Sequence, residues 1–374
     1  MKKDTVRFTM MQVAYWLATC SFFSFSAAYF KWLQIDSSRS GLLISAFTFA
    51  GLCGQVLICK LSDKLSALKF TLILCLVISF LTTISIFLST QYLLLKMLIL
   101  GFVSIPIPVM IDSWITQFLK ERKEEYGNIR SWASLFFAFY AIIYGYLIHR
   151  FGFVIMPYAS GLWILINILV IIHSKSPDSS HHETSNLKNR VFTTRQAYFM
   201  ILLLFIVGVS MGPVLHLTIY VIAPLSGTEQ TIGTLLFISA LVQFPMLRMS
   251  TRMSRFSFKQ RFLFGFFLYA ISIALLMLAN QLWMVYIARM IDGIGFGILL
   301  PTIVSFTSEN STYKHRSTAL SYMDAAQNGI GISMGSALGG YIMYNLNISW
   351  MLFTSLFLMI GVVLSLGLLF NLRK

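Results

Sequence analysis

The ionisable residues in or directly beside long apolar stretches of this 374-residue sequence include Asp112, Arg130, Arg289, Asp292 and Asp324. A charged side chain is costly at the centre of a bilayer, so such residues usually face a cavity or a partner and mark function. Arg289 and Asp292 are three positions apart, which places them on one helix face and predicts an ion pair. A carboxylate beside an arginine in a low-dielectric site can be switched by binding a proton. We therefore predict proton coupling at Arg289 and Asp292, with Asp324 as an alternative proton carrier.

The sequence around these residues is typical of a protein that crosses a membrane many times. It is 57% hydrophobic and 11% charged, with a mean hydropathy of +0.78, whereas a soluble domain carries about 25% charged residues. A transmembrane helix needs about 20 apolar residues. Twelve stretches qualify, numbered here as spans one to twelve: 10–30, 41–59, 70–89, 92–115, 131–149, 154–173, 197–222, 230–248, 262–279, 283–306, 318–344 and 349–370. The sequence therefore predicts an all-α integral membrane fold.

Lysine and arginine are distributed unevenly among the connections between these spans. The loops after the even-numbered spans up to span ten are rich in them, whereas the opposite loops contain only Lys31, Arg39 and Arg150. Cytoplasmic loops carry the excess of positive charge in membrane proteins, which assigns both termini to the cytoplasm. The net charge of +15 thus follows from membrane topology and does not indicate a nucleic-acid partner. The short loops favour a bacterial inner membrane protein.

The longest polar stretch divides the sequence into two halves of six spans. It covers residues 174–195 and contains His181 and His182, which we interpret as a solvated pair in a flexible cytoplasmic linker. The expected domains are therefore 1–173 and 196–374, each a bundle of six helices. The four cysteines have no metal-ligand spacing. Because the sequence also offers no nucleotide-binding loop or nucleophile–base set, we expect neither an enzyme nor a cofactor.

The loop after span two carries a degraded copy of a known motif. The segment 59–69 reads CKLSDKLSALK and resembles the G-x-x-x-D-[RK]-x-G-[RK]-[RK] motif of the major facilitator superfamily. Asp63 and Lys64 match the motif, and Cys59 and Ser66 replace its glycines. The resemblance implies the major facilitator fold of two six-helix bundles. It also implies a cytoplasmic gate in which the acid sits at the N-terminus of span three.

A second resemblance lies at spans four and five. Asp112 is followed 18 residues later by Arg130, within a Tyr-Gly-x-x-Arg-x-Trp-Ala pattern. The pattern is similar to that of the superfamily group containing the lactose and phenylpropionate permeases. This resemblance implies that Asp112 and Arg130 form a charge pair that binds the substrate or gates its path, next to Ser134 and Phe137. Phe137 stands where the sugar permeases stack a tryptophan on the sugar, so a disaccharide is not favoured. A purely structural ion pair is the alternative.

Glycine-rich patterns in spans ten and eleven resemble two further family motifs. The segment 289–297 reads RMIDGIGFG and is similar to a motif associated with proton coupling. Gly331, Gly335 and Gly339 resemble the glycine motif of antiporters. Their four-residue spacing places them on one helix face, where close helix packing alone would explain them.

Together these features predict a secondary active transporter that works by alternating access. We expect proton-coupled symport of a small organic solute, with the proton as the coupling ion and without a cofactor. The expected partners are that solute and the lipid bilayer, and we expect a monomer. One alternative is an efflux antiporter for hydrophobic or cationic compounds. The other is a non-transporting membrane sensor or lipid-handling protein on the same scaffold.

Overall fold

The computed structural model describes residues 2–65, 67–119, 123–174, 191–249, 255–311 and 316–371, which are almost entirely helical. Within those ranges the β-type pairing is limited to an isolated bridge between Phe192 and Ser311. Most of the predicted linker at 174–195, including His181 and His182, lies outside the described residues. Its role as a domain boundary stays a prediction.

Each of the first six predicted spans coincides with a helix or with a pair of helices. Their bounds are Lys2–Phe22 with a 3-10 turn at Phe23–Phe25 and a helix at Ser26–Trp32; Ser37–Leu65; Leu68–Leu88; Leu93–Ser104 with Pro106–Leu119; Lys123–Phe151; and Ile155–Ile172. Spans two and five extend several residues beyond their apolar stretches, because hydropathy marks the bilayer core and not the helix end.

The last six spans are helical as well. Their bounds are Arg195–His216 with a short helix at Thr218–Ile222 and a 3-10 turn at Ala223–Leu225; Glu229–Arg248; Phe258–Met277; Leu282–Glu309; Arg316–Asp324 with Ile332–Asn345; and Ile348–Asn371. Among the described residues, eleven helices are long and apolar enough to cross a membrane. Span eleven is the exception, because a π-helical segment at Ala325–Gly331 divides it into two shorter α-helices. The predicted all-α integral membrane fold is confirmed.

The structure corrects the expected position of Asp63. This residue lies in the last turn of span two and not at the start of span three, which begins at Leu68. No glycine interrupts the motif before Leu65. The helix therefore continues through the motif, and Ala67 then adopts a non-helical conformation with φ −120° and ψ 39°. The Asp63 side chain lies outside the described part of the structure, so a gating role for Asp63 and Lys64 stays a prediction.

The described residues form two compact units. The first comprises Met1–Tyr29, Ala46–Glu183 and Glu229–Phe237. Its apolar core joins spans one, three, four, five and six. The fully buried side chains of this core include Met11, Leu72, Ile111, Trp114 and Ile171. Because lipid tails are as apolar as these side chains, close van der Waals packing rather than exclusion of water holds such a core together.

Span five of the first unit also packs against the start of span eight. A Cβ atom on Gly145 would come within 3.0 Å of the Cα atom of Gly233, so the two backbones lie in direct contact. One turn further along span five, His149 Nδ1 lies 3.6 Å from Glu229 Oε2. Small residues thus allow the approach, and a polar pair lies beside it.

The second unit comprises Phe30–Ser45, Thr184–Thr228 and Ile238–Lys374. It contains spans seven and nine to twelve, most of span eight, and the beginning of span two. Its closest helix pairs are spans nine with ten and spans seven with eleven.

The start of span two packs against span eleven within the second unit. Ser37, Gly41 and Ser45 are four residues apart and therefore share one helix face. Ser37 Oγ donates to Gly340 O over 3.2 Å, and Ser45 Oγ lies 2.9 Å from Ser333 Oγ. A Cβ atom on Gly41 would come within 3.2 Å of the Gly340 Cα atom. Hydroxyl groups and glycines form the closest approaches in this contact.

Proline breaks span four and exposes a backbone carbonyl to span two. The span is interrupted at Ile105, and a new helix starts at Pro106, where a missing N–H costs little because first-turn donors have no partner inside the helix. Pro106 cannot bond to Phe102 O four residues earlier. That oxygen lies against Gly54 of span two, where an added Cβ atom would overlap it.

A second proline of span four has the same effect two residues further on. Pro108 leaves Ser104 O without its usual donor in the helix. The Tyr15 hydroxyl of span one donates to this oxygen over 3.3 Å. Span one is thereby tied to the bend in span four.

Pro213 repeats the arrangement in the second unit. It removes the helical partner of Val209 O in span seven. That oxygen lies against Gly335 of span eleven, where a Cβ atom would overlap it. No water is available within lipid to satisfy a freed carbonyl, and a close Cα–H contact offers it partial compensation. Glycine is the residue that permits this approach.

We expect Gly54→Val to destabilise the protein, because the new side chain would displace the Phe102 carbonyl. Overpacking of this kind costs about 1–3 kcal/mol, which would lower the melting temperature of the purified protein in detergent. The matched control is Gly361→Val in span twelve, where a Cβ atom meets nothing within 4 Å. Equal melting temperatures for the two variants would contradict the close contact at Gly54.

Candidate functional site

A polar cluster in the first unit connects spans one and four. Gln12 of span one is 1% exposed, and its Nε2 donates to Asp112 Oδ1 of span four. Its other amide atom, Oε1, accepts a hydrogen bond of 3.2 Å from Trp16 Nε1, one turn further along span one. The carboxamide of Gln12 therefore bridges a carboxylate and an indole, and it fixes both.

Aromatic rings surround the indole of this cluster. Phe137 of span five lies perpendicular to Trp16, with ring centroids 6.4 Å apart. Tyr15 lies at 77° to Trp16, with centroids 5.5 Å apart. Trp16 and Phe137 are both half-buried. The first unit thus places a carboxylate, an amide and aromatic rings from three spans side by side.

The charge pair of Asp112 and Arg130 stays a prediction. Asp112 lies within the Pro106–Leu119 helix and Arg130 within the Lys123–Phe151 helix, but the Arg130 side chain lies outside the described atoms. The other predicted site residues of span five are one turn apart. Ser134 is exposed, and Phe137 contacts Trp16.

A buried ion pair lies within span ten in the second unit. Arg289 Nη1 donates to Asp292 Oδ2 over 3.1 Å, and the two residues are 7% and 5% exposed. Arg289 Nη2 donates to Val214 O over 2.9 Å and to Thr218 Oγ1 over 2.6 Å. The guanidinium group therefore joins span ten to the end of span seven.

The end of span seven explains why an arginine is accommodated there. The helix ends at His216, so its last carbonyls lack partners within the helix. Val214 O is one of them, and it accepts bonds from Arg289 and from the Thr218 hydroxyl. A cation near a helix C-terminus is also favoured by the helix dipole. Arg289 thus has a structural role in addition to its pairing with Asp292.

Asp324 occupies a different environment in span eleven. It is exposed, and its Oδ1 accepts a 2.7 Å hydrogen bond from Asn328 Nδ2. It is the last residue before the π-helical segment, and π-helical turns frequently occur at functional sites. The proposed role of Asp324 in coupling stays a prediction.

The three predicted packing glycines of span eleven all lie against span seven. A Cβ atom on Gly331 would come within 2.9 Å of Gly208 Cα, one on Gly335 would overlap Val209 O, and one on Gly339 would overlap Pro213. Close packing against span seven therefore explains the four-residue spacing of these glycines. They lend no independent support to antiport.

Sequence reasoning missed two residues that organise these clusters. Gln12 was overlooked because a single amide in an apolar span gives no periodic signal, although an uncharged polar residue at that depth was itself a clue. Thr218 was overlooked because a threonine near a span end has many ordinary roles. Among the described residues no group of His, Cys, Asp and Glu side chains could hold a metal ion.

Eleven helices that are long and apolar enough to cross a membrane among the described residues, with a buried ion pair in one of them, define a polytopic membrane protein. The chain belongs to the MFS_1 like family, which matches residues 7–366. The predicted membership of the major facilitator superfamily is confirmed. Members of this family are membrane transporters and not enzymes.

Two curated relatives are similar to parts of the chain. Maltose permease from Geobacillus stearothermophilus is 25% identical over 261 residues, which cover 68% of this chain and 66% of the permease. Multidrug resistance protein 1 from Bacillus subtilis (strain 168) is 27% identical over 140 residues, which cover 37% of this chain and 36% of that protein. The matched segments span less than two thirds of either relative's length.

Solved structures match the fold over nearly the full chain. A mutant form of the nucleoside transporter NupG has a TM-score of 0.86 at 13% identity, with 98% of this chain and 99% of that chain covered. A D-xylose-proton symporter has a TM-score of 0.74 at 12% identity, with 97% and 96% covered. At such identities the likeness shows the fold.

We expect Asp292→Ala to reduce stability strongly, because it leaves the Arg289 guanidinium buried without its carboxylate. Breaking a buried pair in this way costs about 3–5 kcal/mol, measured as lower thermal stability in detergent. The control is Arg39→Gln, which removes an exposed pair with Asp36 and should cost less than about 1 kcal/mol. Similar losses in both variants would show that the Arg289–Asp292 pair is not the buried contact described.

Proposed function

We propose that the chain is a secondary active transporter that moves a small organic solute by proton-coupled symport. Membership of a major facilitator-type family supports transport. The observation that carries the coupling is the buried ion pair of Arg289 and Asp292, because the charge balance of such a pair changes when the carboxylate binds a proton. A monomer with both termini in the cytoplasm of a bacterial cell is part of the same proposal.

In this mechanism Asp292 alternates between a charged and a protonated form. The charged carboxylate holds the Arg289 guanidinium on span ten. When Asp292 binds a proton, the ion pair is lost, whereas the bonds of Arg289 to Val214 O and Thr218 Oγ1 remain. The Arg289 side chain then keeps its bonds to span seven and loses its bond to Asp292 of its own span. A change of this kind would bias the equilibrium between two arrangements of the spans.

Alternating access also requires helix contacts that can open and close. The contact of span two with span eleven suits this role, because it consists of a serine pair and apposed glycine backbones. The contact of Gly145 with Gly233 has the same character. Small residues form the closest approaches in both contacts, and the rings of Phe139 and Phe237 also meet between spans five and eight, with centroids 5.5 Å apart.

The proposed substrate site is the cluster around Asp112, with Arg130, Ser134 and Phe137 as further lining residues. A sugar, a nucleoside or a small organic acid is the proposed cargo. The names of maltose permease, NupG and the D-xylose-proton symporter support the first two classes.

Efflux by proton antiport is the second candidate, and the partial match to a multidrug resistance protein favours it. Proteoliposomes loaded with a pH indicator separate the possibilities, with maltose, D-xylose, uridine and ethidium as probes. Proton entry together with a probe supports symport, and movement in opposite directions supports antiport. Absence of flux for every probe would favour the non-transporting sensor.

We expect Asp292→Asn to abolish pH-driven accumulation while counterflow exchange continues, because the amide keeps the shape of the side chain but binds no proton. Accumulation should fall by about tenfold or more, to the level of passive equilibration, since a gradient of one pH unit corresponds to about 1.4 kcal/mol. Asp324→Asn is the matched variant. If accumulation survives in Asp292→Asn and fails in Asp324→Asn, the proton is carried by Asp324.

We expect a disulfide between span two and span eleven to stop transport. In a background without the four native cysteines, Ser45→Cys and Ser333→Cys would place sulfur atoms where two hydroxyl oxygens are 2.9 Å apart. Oxidation should abolish counterflow, and reduction should restore it, whereas each single-cysteine variant should be insensitive. Undiminished counterflow in the cross-linked protein would show that this contact need not open.

A further inference from the structure

We propose that Tyr220 transmits the protonation state of Asp292 to the contact between spans two and eleven. The tyrosine lies on the short helix Thr218–Ile222, which follows span seven. It acts as a positioning residue and does not need to contact the cargo. The inference rests on the proposed protonation of Asp292, and it specifies the residues through which that event reaches a helix contact. Every residue along this connection belongs to the second unit.

One side of the short helix is bonded to the ion pair in span ten. Arg289 Nη2 donates to Thr218 Oγ1 over 2.6 Å, and the same hydroxyl donates to Val214 O over 3.0 Å. Leu217, with φ −99° and ψ 22°, separates span seven from the short helix. The Thr218 hydroxyl therefore joins the guanidinium to both sides of this break. A change in the position of the Arg289 side chain acts directly on the first residue of the short helix.

The other side of the short helix holds the beginning of span two. The Tyr220 hydroxyl donates to Ile35 O over 2.8 Å and lies 2.7 Å from Oγ of Ser40, which is fully buried. Lys31 Nζ lies over the Tyr220 ring, 5.8 Å from its centroid. Thr218 and Tyr220 are two residues apart, which at 3.6 residues per turn is a rotation of about 200°. The short helix thus presents one of these side chains to span ten and the other to span two.

Span two connects this hydrogen bond to span eleven. Ser40 lies in the first turn of span two, and its neighbour Gly41 packs against Gly340 of span eleven. One turn further along, Ser45 Oγ lies 2.9 Å from Ser333 Oγ. Tyr220 therefore holds the same end of span two that packs against span eleven.

The connection responds to the charge of Asp292 at its other end. While the carboxylate is charged, the ion pair orients the Arg289 guanidinium, which in turn fixes the Thr218 hydroxyl relative to span ten. When Asp292 binds a proton, the guanidinium loses this restraint, and the short helix is held less firmly against span ten. We expect Tyr220 to hold span two less firmly as well, so that the contact with span eleven opens more readily. Packed side chains and hydrogen bonds that form a continuous series can carry coupling of this kind.

Two other titratable side chains face the ion pair. Tyr269 of span nine interacts electrostatically with Asp292, and His216 of span seven interacts with Arg289. Either group could respond to pH by itself. The test is therefore made at one fixed pH, with Asp292→Asn in place of the protonated carboxyl group, because the amide is neutral and has nearly the same shape.

The test measures how fast a disulfide forms between spans two and eleven. The purified full-length protein carries Ser45→Cys and Ser333→Cys without the four native cysteines, and the loss of free thiols is followed at a fixed concentration of oxidant. We expect Asp292→Asn to slow the reaction by about fivefold or more, as for residues coupled in one network. In Tyr220→Phe the same substitution should change the rate by less than about twofold, the scatter of independent sites, because phenylalanine cannot donate to Ile35 O.

Thr218→Val is the second variant, because it removes the acceptor of the Arg289 bond and keeps the shape of the side chain. It should also suppress the response to Asp292→Asn. The matched control is Tyr144→Phe in the first unit. The Tyr144 hydroxyl likewise donates to a backbone oxygen, Ser21 O, over 2.8 Å. Its loss removes the same kind of bond outside the connection, so the response should remain.

Two results would overturn the proposal. One is a reaction rate that Asp292→Asn leaves unchanged, and the other is a response that persists in full in Tyr220→Phe. The measurement needs no cargo and no gradient, so it is separate from the accumulation assay. If Asp292→Asn abolishes accumulation but its effect on the disulfide survives in Tyr220→Phe, proton coupling stands and the role of Tyr220 is refuted. A response that requires Tyr220, in a protein that accumulates no probe, would refute symport and leave the connection intact.

Discussion

Polar groups inside a bilayer must find their partners within the protein, and most of the specific contacts in this structure follow from that constraint. The carbonyls of Phe102 and Val209 lose their helical donors to prolines, and each is met by a glycine of a neighbouring span. The carbonyl of Val214 at a helix end is met by Arg289. At each of these points, one close contact between helices also provides the partner of a backbone carbonyl.

The two polar clusters are built in a similar way. In each unit a buried side chain with two separate bonding ends connects a carboxylate to a neighbouring group. Gln12 joins Asp112 to an indole, and Arg289 joins Asp292 to the end of span seven. A hydrogen bond from a neutral side chain does not require the carboxylate to be charged, whereas an ion pair does. This difference is consistent with the roles proposed for the two clusters, substrate binding in the first and proton coupling in the second.

Local patterns allowed part of this arrangement to be predicted from the sequence. Arg289 and Asp292 lie on the same helix, so their spacing is enough to place them together. The bridge from Gln12 to Asp112 joins residues 100 positions apart, and apolar periodicity contains no information about which faces of two spans meet. For the same reason the sequence directed attention to Phe137 and did not reveal that an indole from span one lies beside it. Asp63 was misplaced because a resemblance supplied a helix boundary that its altered motif does not produce.

The π-helical segment of span eleven amounts to the insertion of a residue into an otherwise regular helix. Asp324 and Gly331 are seven residues apart, which in an uninterrupted α-helix would put them on nearly the same face. Gly331 is buried against span seven, but Asp324 is exposed. One extra residue rotates the preceding part of the helix by about 100°. If the same residues formed a regular α-helix, this carboxylate would turn toward span seven, so the π-helical conformation of the segment determines where the charge points.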